Sequence, residues 1–161
     1  MTLDEFNQAR KDVERYLILW EEALKSQGLR VGVMQDAPST YKDVVNSFLN
    51  TGILVVYEGA SENTIFSHPR INHLFRAWHD LGHITNKLDF QFHNERKLGE
   101  IQANEVYDAL LNTAGHDRAN NARSLVRAEI IGQIEYYQIH RKYVDDQKSY
   151  TMGYLGVKEE K

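Results

Sequence analysis

Apolar residues recur with the helical period of 3.6 along most of this chain. The stripes predict about five helices: one from the capping box at Thr2 to near Gly28, then others over about residues 40–50, 68–87, 96–111 and 119–143. The continuous β-branched run from Ile53 to Tyr57 predicts a short buried strand or extended segment, with no obvious partner strand. We therefore expect an all-α, single-domain bundle over residues 1–161, with one extended segment near 53–57.

The helix over 68–87 carries the most informative motif of the chain. Ser67 is the expected N-cap, and Pro69 sits in the first turn, where its missing N–H costs nothing. On this helix His79 and His83 are four residues apart, so their Cβ atoms are roughly 5–6 Å apart. Two imidazoles at that spacing can bind one metal ion at about 2.0–2.1 Å. The motif predicts a metal site, although an i,i+4 histidine pair on a solvated helix face is the alternative.

Two histidines do not saturate a metal ion, and several carboxylates are candidates for the remaining positions. Asp80 adjoins the first histidine and is expected either to ligate the metal or to orient a histidine. Glu95 follows His83 after eleven intervening residues and Glu100 after sixteen. Either glutamate is a candidate third ligand. Both lie in or beside the charged stretch His93–Lys97, which favours a solvated loop as the alternative interpretation.

The last long helix carries a polar stripe beside its apolar one. Glu129, Gln133 and Tyr136 follow one another at helical spacing, and Gly132 interrupts them. Because glycine inside a helix costs about 1 kcal/mol relative to alanine, Gly132 indicates that another helix or a ligand approaches the backbone there. We expect Glu129 to act as a general base, with Gln133 and Tyr136 positioning the substrate. Hydrogen bonds between packed helices are the alternative.

The sequence His79-Asp80-x-x-His83, followed by Glu95, resembles the HDxxH-x11-E motif of the metal-binding family that acts in coenzyme Q biosynthesis. The resemblance extends over about residues 70–105 and implies an all-helical fold. It also implies a zinc or iron site made by His79, His83, Asp80 and Glu95. In that family a glycine typically precedes the glutamate, a pair that falls here at Gly99-Glu100, so Glu100 remains the other candidate ligand.

Two further resemblances compete for this region. His79-Asp80-Leu81-Gly82-His83 is also similar to the His-Asp core of the HD phosphohydrolases, which implies a metal-activated water acting on nucleotides. Those enzymes take a further histidine from an earlier helix, and this chain has no histidine before His68. The run Ala128–Gln133 resembles small uncharacterised proteins of tailed phages and implies no activity.

Composition narrows the cofactor and the partners. The chain has no cysteine, so a metal must be held by nitrogen and oxygen donors, which favours one zinc or iron ion, or manganese. The net charge of −4 disfavours general nucleic-acid binding, although Arg118, Arg123 and Arg127 are available to an anionic substrate. No apolar run is long enough to span a bilayer, and the acidic start Met1–Glu5 does not resemble a secretory signal, so we expect a cytoplasmic protein.

These observations predict a divalent-metal-dependent enzyme, such as a hydrolase, lyase or oxygenase, acting on a small-molecule substrate. Two histidines and one carboxylate leave coordination positions open for a metal-bound water or for oxygen chemistry at iron. A nucleotide phosphohydrolase and a non-catalytic, metal-stabilised interaction protein are the alternatives. Homo-oligomerisation is left open.

Overall fold

A computed structural model describes residues 1–158, and about 69% of them are helical, so the predicted all-α class is confirmed. The elements are α1 Leu3–Ser26, β1 Arg30–Met34, α2 Tyr41–Thr51, β2 Ile53–Tyr57, α3 Pro69–Asn86, α4 Phe92–Ala114, α5 His116–Arg127, α6 Gln133–His140 and α7 Gln147–Tyr154, with the π-helical turn Ala128–Gly132 joining α5 to α6. No helix in the described part of the chain is long and apolar enough to cross a membrane.

Several predicted boundaries were wrong for identifiable reasons. The helix expected from Arg96 begins at Phe92, so the charged stretch expected as a loop is the first turn of α4. Charged residues there are good helix formers but carry no apolar period, which hid the turn. The α3 N-cap is His68 rather than Ser67, because the His68 ring accepts the Arg70 N–H at 3.0 Å. The last long helix ends at His140 instead of 143.

The described chain forms two compact units, one of residues 15–90 and the other of residues 1–14 together with the chain from Gln91 onwards. In the unit of residues 15–90, β1 pairs in parallel with β2, in the register Arg30 to Ile53 and Met34 to Tyr57. The segment predicted at 53–57 is therefore a strand with a partner. The pattern did not reveal β1 because only one of its five residues is buried.

Helix α3 packs against this small sheet and holds the loop that follows β2 through hydrogen bonds. The Arg76 guanidinium donates to the carbonyls of Tyr57 and Gly59 at 2.7 Å and to that of Ala60 at 3.0 Å. His73, 7% exposed, lies 2.8 Å from the Glu58 carbonyl, which requires its Nε2 to donate. These contacts fix the orientation of α3 within its unit.

In the other unit, α4 and α5 form a helical hairpin around Gly115, whose φ of +86° suits glycine. Helix α4 also packs against the π-helical turn. An added Cβ at Gly99 would lie 2.6 Å from Cγ1 of Ile131, so this approach requires glycine. The turn in addition receives α7, an element that the sequence pattern did not predict.

Candidate metal centre

His79 and His83 point towards the same place from successive turns of α3. Their Nε2 atoms are 3.1 Å apart, and their ring centroids are 4.6 Å apart at an interplanar angle of 80°. Two nitrogens held about 2.05 Å from one ion are separated by about 2.9 Å at a 90° ligand angle and about 3.4 Å at a tetrahedral angle. The observed separation lies between these values and is also that of a direct hydrogen bond from the His79 Nε2–H to the His83 Nε2, so the pair is placed as a shared ion would need it.

His83 is held in the tautomer that suits a metal ligand. The side chain is fully buried, and its Nδ1 lies 2.8 Å from the Leu88 carbonyl. A carbonyl only accepts, so Nδ1 carries the hydrogen and Nε2 of the neutral ring keeps its lone pair. The ring of Phe90 packs edge-on against the imidazole at 4.7 Å between centroids. Such an outer hydrogen bond normally orients a ligating histidine.

The turn after α3 delivers these orienting groups. Lys87 adopts the left-handed conformation at φ 53°, and its N–H donates to the carbonyls of His83 and Ile84. The Leu88 N–H then donates to the His83 carbonyl at 3.0 Å. The chain thus folds back onto His83. The Leu88 N–H bonds to the main-chain carbonyl of His83, and the Leu88 carbonyl faces the His83 ring. Sequence patterns gave no sign of this role, because a main-chain acceptor carries no residue signature.

Glu95 is the carboxylate that follows His83 after eleven intervening residues, and it is the predicted third ligand. Glu95 lies in the first turn of α4, soon after the segment that contacts His83. His79 and Glu95 are both half-buried. Nitrogen and carboxylate donors in this number are typical of zinc and non-haem iron sites.

Two other carboxylates were predicted as ligands. Glu100 accepts two hydrogen bonds from the Arg127 guanidinium, at 2.9 and 3.1 Å, in an exposed ion pair. Asp80 is half-buried, and its charge acts on the Arg76 guanidinium one turn before it. Because Glu100 is engaged with Arg127, Glu95 stays the preferred prediction for the third donor.

The residues predicted to act as base and substrate contacts cluster around the π-helical turn. Glu129 is 6% exposed, and its carboxyl group accepts from the Thr151 hydroxyl at 2.5 Å and from the Gln133 amide at 2.9 Å. Burial raises the pKa of Glu129 from the usual 4.5 to about 7, and the Thr151 hydrogen bond opposes that rise. Tyr136 stacks against His140 and meets Tyr150 edge-on.

A neighbouring element approaches the backbone at Gly132, as the glycine inside the helix predicted. An added Cβ would lie 3.2 Å from the Tyr154 ring, and the Gly132 carbonyl accepts from the Tyr150 hydroxyl at 2.8 Å. The close neighbour is therefore α7. The hydrogen bond from Thr151 to Glu129 links α7 to the π-helical turn. Such a link between packed helices is the alternative to a catalytic role for Glu129. The assignment of Glu129 as a general base stays a prediction.

The arginines considered for an anionic substrate each have a partner. Arg118 donates to the buried Asp12 carboxylate at 2.5 and 3.1 Å. Arg123 donates to Asn120 and lies over the Tyr107 ring at 4.6 Å. Arg127 belongs to the ion pair with Glu100 described above. These contacts support the structural interpretation of all three.

No family model, curated protein or solved structure matches this chain closely enough to indicate a relationship. The resemblances to coenzyme Q biosynthesis proteins, HD phosphohydrolases and phage proteins therefore stay predictions, and function has to be argued from the side chains themselves.

Proposed function

We propose that this protein is a divalent-metal-dependent enzyme that acts on a small molecule at a metal centre held by His79 and His83, with Glu95 as the expected carboxylate ligand. The observation that carries the proposal is the 3.1 Å separation of the two Nε2 atoms, one of which belongs to a buried ring with its other nitrogen bonded to a carbonyl. A solvated histidine pair has no reason to be buried or to have a fixed tautomer.

The donor set suits an ion with open coordination positions. Two neutral imidazoles and one carboxylate give a net charge of +1 with a divalent ion, and a fourth position is left for water or substrate. Zinc in such a set lowers the pKa of a bound water towards about 7, and iron with the same ligands supports oxygen chemistry. We prefer zinc, because a reaction of zinc-bound water needs no redox partner, whereas oxygen chemistry at iron does.

The proposal predicts graded effects of substitution at the three ligands. His83→Ala and His79→Ala should abolish zinc binding in calorimetric titrations, whereas Glu95→Gln, which keeps an uncharged oxygen donor, should weaken zinc binding without abolishing it. His68→Asn is the matched control on the same helix, because asparagine retains the N-cap that the ring of His68 supplies. If His68→Asn lowers zinc affinity as much as His83→Ala does, helix stability and not ligation would account for the effect.

Activity is tested after metal binding. The metal-loaded protein should hydrolyse or transform at least one member of a panel of small esters, amides and aromatic substrates, and Glu95→Gln should be inactive. Turnover of nucleotides instead would favour the HD phosphohydrolase interpretation. Metal binding that raises the unfolding temperature, with no turnover in either panel, would support the non-catalytic alternative.

A further inference from the structure

Helix α7 is fastened to the π-helical turn by a set of polar contacts around one buried acid. The Thr151 side chain is fully buried, and its hydroxyl donates to Glu129 at 2.5 Å. One residue earlier, the Tyr150 hydroxyl donates to the Gly132 carbonyl at 2.8 Å. Tyr154, a turn later, packs on Gly132. With α7 in place, Glu129 is cut off from water.

A π-helical turn leaves room for such an arrangement. The wider i→i+5 turn is rare and interrupts regular backbone pairing, and it is frequently found at functional sites. Here it supplies both Glu129 and Gly132, whose side chain and carbonyl face the same eight-residue helix. The contacts to α7 include those from this turn, from Glu135, which accepts from the Tyr154 hydroxyl at 3.3 Å, and from Tyr136, whose ring meets that of Tyr150 edge-on.

The charged groups near this turn pair with each other and not with Glu129. Arg96 of α4 pairs with Glu135 of α6, and Arg127 of α5 pairs with Glu100 of α4. The packed elements also carry the ionisable groups Tyr136 and His140 of α6 and Lys148, Tyr150 and Tyr154 of α7. Burial raises the pKa of the Glu129 carboxyl, and the hydrogen bond from Thr151 opposes that rise. The Gln133 amide also donates to this carboxyl group. Within residues 1–158 no cationic side chain forms an ion pair with Glu129, so its ionised form in the closed arrangement is a buried charge held only by neutral donors.

We propose that α7 is a clasp over Glu129 and Gln133 that opens when the Glu129 carboxyl group loses its proton. Protonated Glu129 is accommodated in the closed arrangement, whereas the ionised form is stabilised by water that enters only when α7 moves away. Opening exposes Glu129, Gln133 and the Gly132 carbonyl together. The clasp makes access to these groups dependent on pH near neutrality.

Hydrogen exchange measured by mass spectrometry tests the clasp directly. After correction for intrinsic exchange with an unstructured peptide, the opening equilibrium of α7 should rise about 30-fold from about pH 5.5 to about pH 8.5, given a pKa of about 7 when closed and 4.5 when open. Peptides from the α4–α5 hairpin should stay more protected than α7 at each pH, because they exchange only through larger openings of the fold.

Two variants separate the carboxyl group from the rest of the contact. In Glu129→Gln, whose amide resembles the protonated acid, the corrected hydrogen-exchange rate of α7 should not depend on pH. Thr151→Val removes the hydroxyl and keeps the shape, so it should raise opening at every pH and retain the pH response. Uniform exchange in the wild type, an unchanged response in Glu129→Gln, or equal protection of α7 and the α4–α5 hairpin would each overturn the proposal. Should Glu129→Gln fail to fold, the wild type and Thr151→Val still decide it.

Discussion

Gly99 sets how closely α4 approaches the π-helical turn, and Gly99→Ala tests that approach. A Cβ at this position would lie 2.6 Å from Cγ1 of Ile131 and 3.0 Å from Cγ2 of Ile130, where ordinary contacts are 3.4–4 Å. Ile131 is 3% exposed and Ile130 is 6% exposed, so neither side chain has open space into which it can move. The backbones must separate instead.

The magnitude follows from two opposing terms. Overpacking a closed interior costs about 1–3 kcal/mol. Replacing a helical glycine by alanine returns about 1 kcal/mol through helix propensity. We therefore expect Gly99→Ala to lower the free energy of unfolding by about 1 kcal/mol.

Two other glycines provide matched controls for the same substitution. At Gly153, in α7, an added Cβ meets nothing within 4 Å, so Gly153→Ala should stabilise by up to about 1 kcal/mol. At Gly132 the nearest atom is a Tyr154 ring carbon at 3.2 Å, and the two terms should nearly cancel. Urea unfolding followed by far-UV circular dichroism gives all three values. The packing argument is refuted if Gly99→Ala is as stable as Gly153→Ala.

Other predictions concern buried charge. The pKa of Glu129 is about 7 in the folded chain and 4.5 in the unfolded chain, so the folded form binds more protons between these values. The free energy of unfolding should therefore fall by about 3 kcal/mol as the pH rises from 4.5 to beyond 7. Chemical unfolding at several pH values checks this, and Glu129→Gln should flatten the profile. A double-mutant cycle should give a larger coupling for Asp12–Arg118, whose carboxylate is buried, than for the exposed pair Glu100–Arg127. Equal couplings would contradict the role given to burial.

Much of the fold was accessible from the pattern because long amphipathic helices carry a strong period. The spans of α1, α2 and α3 agree with the prediction to within two or three residues, and the glycine inside the last long helix marked a real close contact. Strand β1 was missed because Val31 is its only buried residue. Helix α7 was missed because it buries only Thr151, a polar residue that leaves no apolar stripe.

The candidate site was predictable only in part, for a different reason. The spacing of His79 and His83 on one helix fixes their proximity, so sequence alone suffices for that pair. Whether Glu95 or Glu100 joins them depends on where α4 begins and on which partner Glu100 finds, and spacing determines neither. Arg127 lies 27 residues beyond Glu100, and its ion pair with that glutamate has no local signature.

The zinc content of the purified protein tests the central claim most directly. Elemental analysis after equilibrium dialysis against zinc should give about one ion per chain for the wild type and none for His79→Ala/His83→Ala, with the helical circular dichroism retained in both. Equal zinc content in the two proteins, or none in either, would contradict a metal centre at His79 and His83.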